Sequence, residues 1–327
     1  MSGRIELLRL LADGERHSGE ELAASLAVSR AAVWKRLQRL DEWGITVEAR
    51  PGGGYRLEAP IDLLDADEIR KQLPQAVAAM LRRLEVHDAL ESTSDRLLGV
   101  ADLPPGRFDA CLAEFQSAGR GRRGRRWVAP FASGLCLSVS WNYRESPATL
   151  GALSLAAGVA ALRALARLGF DTLALKWPND IVHDGAKLGG ILVDLRGEAA
   201  GPAYVVVGIG VNVRLPRAAR ESLRAEAIEA VDLASLGAPP ERNLLAAALI
   251  AEISQALVEF GGRGMAAFAD EWRDADALIG RPVAVLHGGQ RLDGVARGVD
   301  ADGALLLETG GERRRILSGE VSVRPVR

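Results

Sequence analysis

The sequence predicts an α+β protein of three successive domains, and three observations carry this prediction. The first sixty residues have the pattern of three short helices followed by a glycine-rich hairpin. From Leu63 to about Ala277, strand-like runs alternate with helical stretches, which indicates a mixed core around a central sheet. From Gly280 the chain becomes all-strand, as in a small barrel of about five strands. Because 327 residues exceed the usual size of one core, we place the domains at 1–61, 62–277 and 278–327.

The N-terminal segment has the pattern of a winged helix-turn-helix. Apolar spacing predicts a first helix that Gly14 ends, and Ser18 is a suitable cap for a second helix over residues 19–26. Ser29 then caps a third helix over residues 30–43. The alternating hairpin that follows has a glycine-rich tip at residues 50–54, which is typical of a wing.

The predicted third helix has a basic face that suits DNA recognition, with no acidic residue before Asp41. The predicted DNA-binding residues are Ser18, Ser29, Arg30, Lys35, Arg36 and Arg39. The alternatives are a basic face that only solubilises the helix, or a winged helix used for protein contacts. Because a single winged helix of this size binds weakly, we expect a dimer on a two-fold-related DNA site.

Composition excludes several classes of protein. With 48% hydrophobic and 26% charged residues, the chain is neither disordered nor fibrous. It has no run of about twenty apolar residues and no signal-peptide core, so we expect a cytoplasmic protein without a membrane span. Cys111 and Cys136 are expected to be core residues, and the four histidines lack the spacing of a metal site. A net charge of −2 means that nucleic-acid binding must come from a local patch.

A glycine-arginine segment at residues 119–127 is the strongest chemical signal. Its glycines let the backbone approach a ligand closely, and its guanidinium groups can pair with phosphate oxygens. In isolation, such a run is more often a solvated basic loop or an RNA-binding segment. It matches the dinucleotide fingerprint formally, but Pro130 and Gly134 follow where that motif requires a helix. No Lys-Ser or Lys-Thr follows it, so the segment is not a Walker P-loop. The remaining interpretation is a phosphate-binding loop of another class.

Two lysine-containing segments narrow the class of binding site further. Lys176-Trp177-Pro178-Asn179-Asp180 comes directly after an apolar strand, and Lys187 begins a second apolar run. We expect the two segments to form the strands of a hairpin. A lysine at the end of a buried strand can balance a carboxylate or a phosphate in a partly dry site, although a surface cation is the commoner role for either lysine alone.

These segments, together with residues 208–212 (Gly-Ile-Gly-Val-Asn), resemble in order and spacing the signature segments of biotin-protein ligases. The likeness covers essentially the whole chain, in the three-domain form that is both ligase and biotin operon repressor. It implies a core like that of class II synthetases and an SH3-like barrel. It also implies that biotin is activated with ATP and Mg²⁺ as biotinyl-5′-AMP and transferred to a lysine of a biotin carboxyl carrier protein. Adenylate-promoted homodimers would bind operator DNA and repress biotin biosynthesis genes.

The resemblance also implies roles for individual residues. The catalytic residues would be Lys176, Arg122 and Arg120. The biotin-binding residues would be Ser92, Thr93, Ser94, Gln116, Arg120, Gly121, Arg122 and Lys176. The nucleotide-binding residues would be Trp127, Asn179, Lys187 and Asn212. Family members commonly have asparagine at the position of Ser94, so we expect one amide contact to be lost or replaced through water.

Three other functions remain open at this stage. A lipoate-protein ligase shares the core fold and the adenylate chemistry, but the glycine-arginine segment and the Lys-Trp-Pro-Asn-Asp motif favour biotin. A DNA-binding sensor would bind biotin without transferring it, which the intact cationic motifs disfavour. The third possibility is a ligase whose N-terminal domain no longer represses.

Overall fold

A computed structural model describes residues 2–50, 52–58, 60–100, 102–144, 150–197, 202–287, 290–317 and 321–325. The N-terminal part contains three helices and a hairpin, which confirms the predicted winged helix. The helices are α1 (Ser2–Leu11), α2 (Gly19–Ser25) and α3 (Arg30–Gln38), and the antiparallel strands are β1 (Val47–Arg50) and β2 (Gly54–Leu57). Pro51, in the predicted wing tip, lies outside the described residues.

Helix α3 is shorter than the sequence analysis predicted. It ends at Gln38, and a separate 3₁₀ turn over Asp41–Trp43 follows. Gly44 then adopts the left-handed conformation, with φ of 73°, and its N–H bonds to the Asp41 carbonyl at 2.9 Å. This turn redirects the chain and buries Trp43. The sequence pattern had predicted instead that the helix continues as far as Trp43.

The central part is a seven-stranded sheet in the order β3-β4-β5-β9-β8-β7-β6, antiparallel except for β3 and β4. Its strands are β3 (Leu81–His87), β4 (Phe108–Ala113), β5 (Gly134–Tyr143), β6 (Ala174–Lys176), β7 (Asp180–His183), β8 (Ala186–Gly197) and β9 (Ala203–Asn212). Its helices are α4 (Ala66–Gln72), α5 (Gln75–Met80), α6 (Thr93–Leu98), α7 (Leu153–Arg167), α8 (Arg217–Ala225), α9 (Leu233–Leu236), α10 (Arg242–Arg263) and α11 (Ala269–Ala275). The predicted mixed α+β core is confirmed.

The two faces of this sheet are covered differently. Val205, Val207 and Ile209 of β9 pack in the main core with α7 and α10. The alternate residues Tyr204 and Val206 face the other side, where α6 lies. The glycines at 208 and 210 share that second face, so a groove can open there. In the described residues one helix, Arg242–Ala267, is long and apolar enough to cross a membrane, but 67% of its apolar window is buried inside the protein.

The C-terminal part is a five-stranded antiparallel sheet in the order β13-β12-β11-β10-β14. The strands are β10 (Pro282–His287), β11 (Gln290–Val299), β12 (Leu305–Thr309), β13 (Glu312–Ile316) and β14 (Val321–Pro325). The five predicted strands are confirmed. Trp177 donates its indole N–H to the Gly303 carbonyl at 2.9 Å, which ties this sheet to the central domain.

Aromatic rings join the N-terminal and central parts. Trp43 stacks on Phe131 with ring centroids 5.1 Å apart and lies 6.1 Å from the Phe115 ring. The Phe131 N–H also donates to the Trp43 carbonyl at 3.0 Å. Phe131 therefore packs in the N-terminal hydrophobic core although it lies just before β5 in the chain. The domain boundaries at residues 61 and 277 stay predictions.

Candidate active site

A cleft of about 860 Å³ opens on the face of the central sheet that carries α6. It is large enough for a ligand of drug size. Its lining joins segments that are far apart in the chain, and it includes every predicted catalytic, biotin-binding and nucleotide-binding residue. These residues are Ser92, Thr93, Ser94, Gln116, Arg120, Gly121, Arg122, Trp127, Lys176, Asn179, Lys187 and Asn212.

The floor of the cleft, formed by the start of α6 and by β5 and β9, holds a buried network of hydroxyl and amide groups. The Thr93 backbone N–H and Oγ1 both donate to Gln116 Oε1, at 2.7 and 3.1 Å. Thr93 Oγ1 and Ser94 Oγ lie 2.8 and 3.0 Å from Ser138 Oγ. Ser92 caps α6 by accepting the Asp95 N–H at 3.3 Å. Because these groups are buried and mutually bonded, their positions are fixed before a ligand arrives.

Two residues of this floor extend the predicted set. Ser138 connects Thr93 and Ser94, and the sequence analysis missed it. The available signal was the alternation of Ser138 and Ser140 with apolar residues along β5, which places hydroxyls on one face of a buried strand. Gly208 is the second, because a Cβ there would lie 2.7 Å from Ser94 Oγ. The hydroxyl at position 94 therefore fills the space above Gly208.

The roof of the cleft, residues 119–127, is a folded turn rather than an extended arm. The Trp127 N–H donates to the Gly119 carbonyl at 2.8 Å, and the Gly121 N–H donates to the Arg125 carbonyl at 2.7 Å. A 3₁₀ turn over Arg122–Gly124 forms its tip. A Cβ at Gly119 would lie 2.7 Å from the Trp127 carbonyl, so the return of the chain requires glycine there.

The two predicted catalytic arginines of the roof have different surroundings. Arg120 makes two bonds to Asp194, at 3.2 and 2.8 Å, and a third contact of 2.8 Å to Asp95. Arg122 makes no side-chain hydrogen bond or ion pair within the described part of the chain. Burial, followed by the nearby Arg123 charge, lowers the pKa of Arg122, while Asp180 opposes the shift. The group still stays charged at neutral pH, since an arginine pKa lies far above 7.

Trp127 closes the roof against the floor. Its indole lies over Gly210, where a Cβ would come within 2.3 Å of the ring, and beside Gly190. Lys187 Nζ lies 5.8 Å from the ring centroid, within range of a cation–π interaction. The buried indole N–H has no hydrogen-bond partner among the described residues apart from a weak interaction with the Cys136 thiol. Burial raises the pKa of that thiol to about 12, which makes it a poor nucleophile.

The Lys176–Asp180 segment corrects the predicted hairpin. Residues 177–179 form the turn between β6 and β7, with a cis Trp177–Pro178 peptide, and it is β7 that pairs with β8. The motif is therefore mostly turn, because proline cannot donate a ladder hydrogen bond. Asn179 Nδ2 donates to the Ile191 carbonyl at 2.6 Å, which anchors the turn to β8. Lys176 is half-buried at the end of β6 and faces the cleft.

Lys187 and Asn212 both bond to the segment that follows α8, and part of this segment forms a wall of the cleft. Lys187 Nζ lies 2.6 Å from Asp180 Oδ1, and the backbone N–H of Lys187 donates to the Glu229 carbonyl at 2.7 Å. Asn212 Nδ2 donates to the Val231 carbonyl at 3.0 Å. The wall consists of Leu223, near the end of α8, and residues 226–230, which follow the helix.

One possible metal-binding group exists in the described residues, although the histidine spacing predicted none. The side chains of Glu85, His87 and Cys111 come within 4.8 Å of one another on β3 and β4. Arg96 bonds both Glu85 oxygens, at 2.7 and 3.0 Å, and is the main reason that the pKa of Glu85 falls to about 2. The group lies outside the cleft lining, and an arginine on its carboxylate opposes a cation.

The predicted DNA-binding residues all lie at or near α3. Ser18 and Ser29 are N-caps, whose hydroxyls accept the N–H groups of Glu21 and Ala32 at 3.1 and 3.2 Å. Three arginines have partners within the protein: Arg30 with Glu20, Arg36 with the Gly3 carbonyl, and Arg39 with Glu42. Lys35 is exposed.

Three family models match successive parts of the chain. They describe an HTH domain over residues 4–56, the biotin/lipoate A/B protein ligase family over 90–212, and a biotin protein ligase C-terminal domain over 278–324. They follow one another in the same order as the three parts of the fold.

Similar proteins span nearly the whole chain. Two proteins named bifunctional ligase/repressor BirA, from Escherichia coli K12 and Salmonella typhimurium LT2, are each 41% identical over 321 residues, covering 98% of this chain and 97% of the relative. A biotin–[acetyl-CoA-carboxylase] ligase from Mycobacterium tuberculosis is 37% identical over 272 residues, covering 81% of this chain and 97% of the relative. The biotin protein ligase from Aquifex aeolicus, solved with biotin and ATP, superposes with a TM-score of 0.60 at 27% identity, covering 75% of this chain and 99% of that one. The chain belongs to the biotin protein ligase family, in its bifunctional ligase/repressor form.

Proposed function

We propose that the chain activates biotin with ATP as biotinyl-5′-AMP, transfers the biotin to a lysine of a biotin carboxyl carrier protein, and represses biotin biosynthesis genes. One observation carries the proposal: residues predicted from four separate motifs line a single cleft. The cleft combines a fixed polar floor with a cationic roof, which suits a ligand that is a neutral heterocycle at one end and a phosphate at the other.

The reaction needs positioning and charge neutralisation more than a protein nucleophile. The biotin carboxylate attacks the α-phosphate of ATP and pyrophosphate leaves; a lysine amine of the acceptor then attacks the carbonyl of the mixed anhydride, and AMP leaves. Lys176 and Arg122 supply positive charge where the carboxylate and the α-phosphate meet. Arg122 is suited to this role because its guanidinium has no carboxylate partner within the described residues.

The floor is suited to the biotin ring system. Gln116 Oε1 accepts two bonds from Thr93, so the orientation of its amide is fixed; Nε2, which also interacts with the Cys136 thiol, is its donor end. With the hydroxyls of Thr93, Ser94 and Ser138, it offers donors and acceptors in fixed positions. We propose that these groups bind the ureido ring of biotin.

The nucleotide would occupy the part of the cleft between Trp127 and the wall at residues 226–230. Trp127 offers an aromatic face and Lys187 a charge, while Asn179 and Asn212 hold the surrounding backbone. Mg²⁺ would enter with ATP. It would be held mainly by the ATP phosphates rather than by a cluster of protein side chains, and it would neutralise the leaving pyrophosphate.

Repression would follow from ligand-dependent assembly. We propose that the adenylate promotes a homodimer, because it contacts the roof and wall loops and so favours their ordered state. Two winged helices would then bind a two-fold-related operator. The cytoplasm is the proposed location, since ATP, carrier proteins and DNA meet there.

The test is transfer of labelled biotin, with lipoate in a parallel reaction, from MgATP to a purified carrier domain. We expect Lys176→Ala to lower adenylate formation about 100-fold, the size of effect seen when one charge-stabilising group is removed. Arg122→Gly should form adenylate but release it to solution. The matched controls are Lys71→Ala and Arg263→Gly, both exposed and outside the cleft.

Three results would count against the proposal. Preferential use of lipoate would indicate the related ligase class. Tight biotin binding without any transfer by the wild type would indicate a sensor. Equal activity of Lys176→Ala and its control would remove Lys176 from the catalytic set.

A further inference from the structure

The outward face of α3 carries an exposed aromatic residue. The exposed residues recur at intervals of three and four along the helix and form one stripe: Ala31, Trp34, Lys35 and Gln38. Trp34 is 54% exposed. It is the only aromatic among the large hydrophobic residues that are exposed in the described chain. Burial of the opposite face, at Val33 and Leu37, fixes the direction of this stripe.

Basic residues of α3 lie at and beside the stripe. The guanidinium of Arg30 lies 3.0 Å from Glu20, that of Arg39 lies 3.1 Å from Glu42, and that of Arg36 donates to the Gly3 carbonyl at 3.1 Å. These three arginines are therefore held at the edges of the stripe. Lys35, next to Trp34, makes no ion pair with the described residues. An apolar centre with a cationic border is complementary to a groove whose walls are phosphates.

We propose that Trp34 contacts the 5-methyl group of a thymine in the major groove, and that Gln38, one turn further along α3, pairs with an adenine. This inference rests on the proposed DNA-binding function. The thymine methyl is the apolar group that the bases present in the major groove, and a glutamine amide matches the N6 and N7 atoms of adenine. Each half-site would then contain A·T pairs beneath the stripe, with Lys35 contacting guanine or a phosphate.

On a winged helix that binds a protein, we would expect different residues around such a stripe. A protein partner selects mainly for an apolar centre, whereas here the stripe itself contains Lys35 and is flanked by arginines, two of which pair with Glu20 and Glu42. Lys35 and Arg36 make no ion pair with the described residues, so the local charge beside Trp34 is positive, which favours a polyanion.

The experiment begins with the full chain, biotin and MgATP, and a library of duplex DNA with about thirty random base pairs, enough for two half-sites. Each thymine of the selected sequence is then replaced by deoxyuridine, which removes only the methyl group. Binding is measured by fluorescence anisotropy at constant salt. At one thymine in each half-site, wild-type affinity should fall about fourfold, as expected for one buried methyl-sized group.

The Trp34→Ala variant should bind the thymine and deoxyuridine duplexes equally. Lys35→Ala is the matched control on the same face: it should weaken binding to both duplexes and reduce the salt dependence, but keep the methyl discrimination. Thermal melting of each variant checks that the N-terminal domain stays folded.

The possible failures are distinguishable. If the wild type selects a sequence but Trp34→Ala keeps the same methyl discrimination, or no thymine matters, the inference about Trp34 is wrong while DNA binding stands. If no sequence is selected, the repressor function itself fails. If Trp34→Ala changes the sedimentation of the protein and leaves DNA binding unchanged, the stripe is a protein contact and the inference is overturned.

Discussion

The floor and the roof of the cleft are built in opposite ways. In the floor, Thr93, Gln116 and Ser138 are buried, lie on or next to regular elements and bond to one another. In the roof, Arg122, Arg123 and Arg125 are carried by a turn whose hydrogen bonds are mostly between backbone groups. The side chains of the floor are therefore fixed by one another, whereas the arginines at the tip of the roof are held mainly through their backbone.

Because of this difference, one cleft can bind the two ends of a ligand in different ways. A neutral heterocycle gains most from fixed donors and acceptors, because their ordering cost is met on folding. A phosphate gains from charges that can move towards it, and a moving loop can also exclude water. A variant of the floor should therefore change the KM of one substrate by a large factor. A variant of the roof should change several kinetic constants, each by a smaller factor.

The largest effect is expected at the contact between floor and roof. In Gly210→Ala, the new Cβ would overlap the Trp127 indole, with 2.3 Å to the nearest ring atom, so the base of the roof must move. We expect kcat/KM for ATP to fall about 100-fold, as for a 1 Å misplacement of a binding group. The roof variant Gly124→Ala meets no atom within 4 Å and carries only the strain of φ +70°, so its loss should stay below about tenfold.

A double variant tests whether the effect of Gly210→Ala acts through the Trp127 indole. Trp127→Ala removes the overlap, so Gly210→Ala with Trp127→Ala should have the same KM for ATP as Trp127→Ala alone. Additive losses would mean that position 210 acts independently of the indole. Thermal melting of all four proteins separates a shifted roof from an unfolded domain.

A smaller effect, confined to one substrate, is expected in the floor. Thr93→Val preserves the shape of the side chain but removes the bonds of Oγ1 to Gln116 and Ser138. The KM for biotin should rise about tenfold, since buried groups lose a partner, while the KM for ATP changes little. Thr93→Ser keeps the hydroxyl and should behave almost as the wild type in the same steady-state assay. Equal changes in both KM values would show that floor and roof are not independent.

The smallest effect concerns how α6, which carries Thr93, is attached to the sheet. Arg96 on α6 holds the pKa of Glu85 at about 2, below its ordinary value near 4.5. A lowered carboxyl pKa stabilises the fold above the unfolded value, and this stability is lost as the pH falls from about 4.5 to about 2. Because Arg96 is half-exposed, solvent reduces the contribution to about 1–2 kcal/mol.

Glu85→Gln removes this titrating group. Its urea midpoint should lie below that of the wild type at pH 7, and the two should converge towards pH 2. Glu68→Gln, on the exposed face of α4, is the control and should show no such convergence. A constant difference at all pH values would contradict the ion-pair explanation.

Whether a feature of the fold could be predicted from the sequence depends on how far apart in the chain the interacting residues lie. Helix caps such as Ser18 and Ser29 act within a few residues, and the strands of the C-terminal sheet alternate with glycine turns, so both were predictable. The end of α3 was not, because burial of Trp43 against Phe131 depends on a residue far along the chain. Arg120 was expected at the ligand, but Asp194, distant in sequence, competes for its guanidinium. Its assignment as a catalytic residue stays a prediction.

The position of Phe131 has a consequence for dividing this protein. Its ring completes the hydrophobic interior of the N-terminal domain, although the chain reaches it only after the first two strands of the ligase core. A fragment that begins at residue 62 would leave this phenylalanine facing water, and an isolated fragment of residues 1–61 would have a hole beside Trp43. The two activities are therefore encoded in an overlapping set of residues. An exchange of N-terminal DNA-binding domains between relatives would therefore have to include the segment around Phe131 as well.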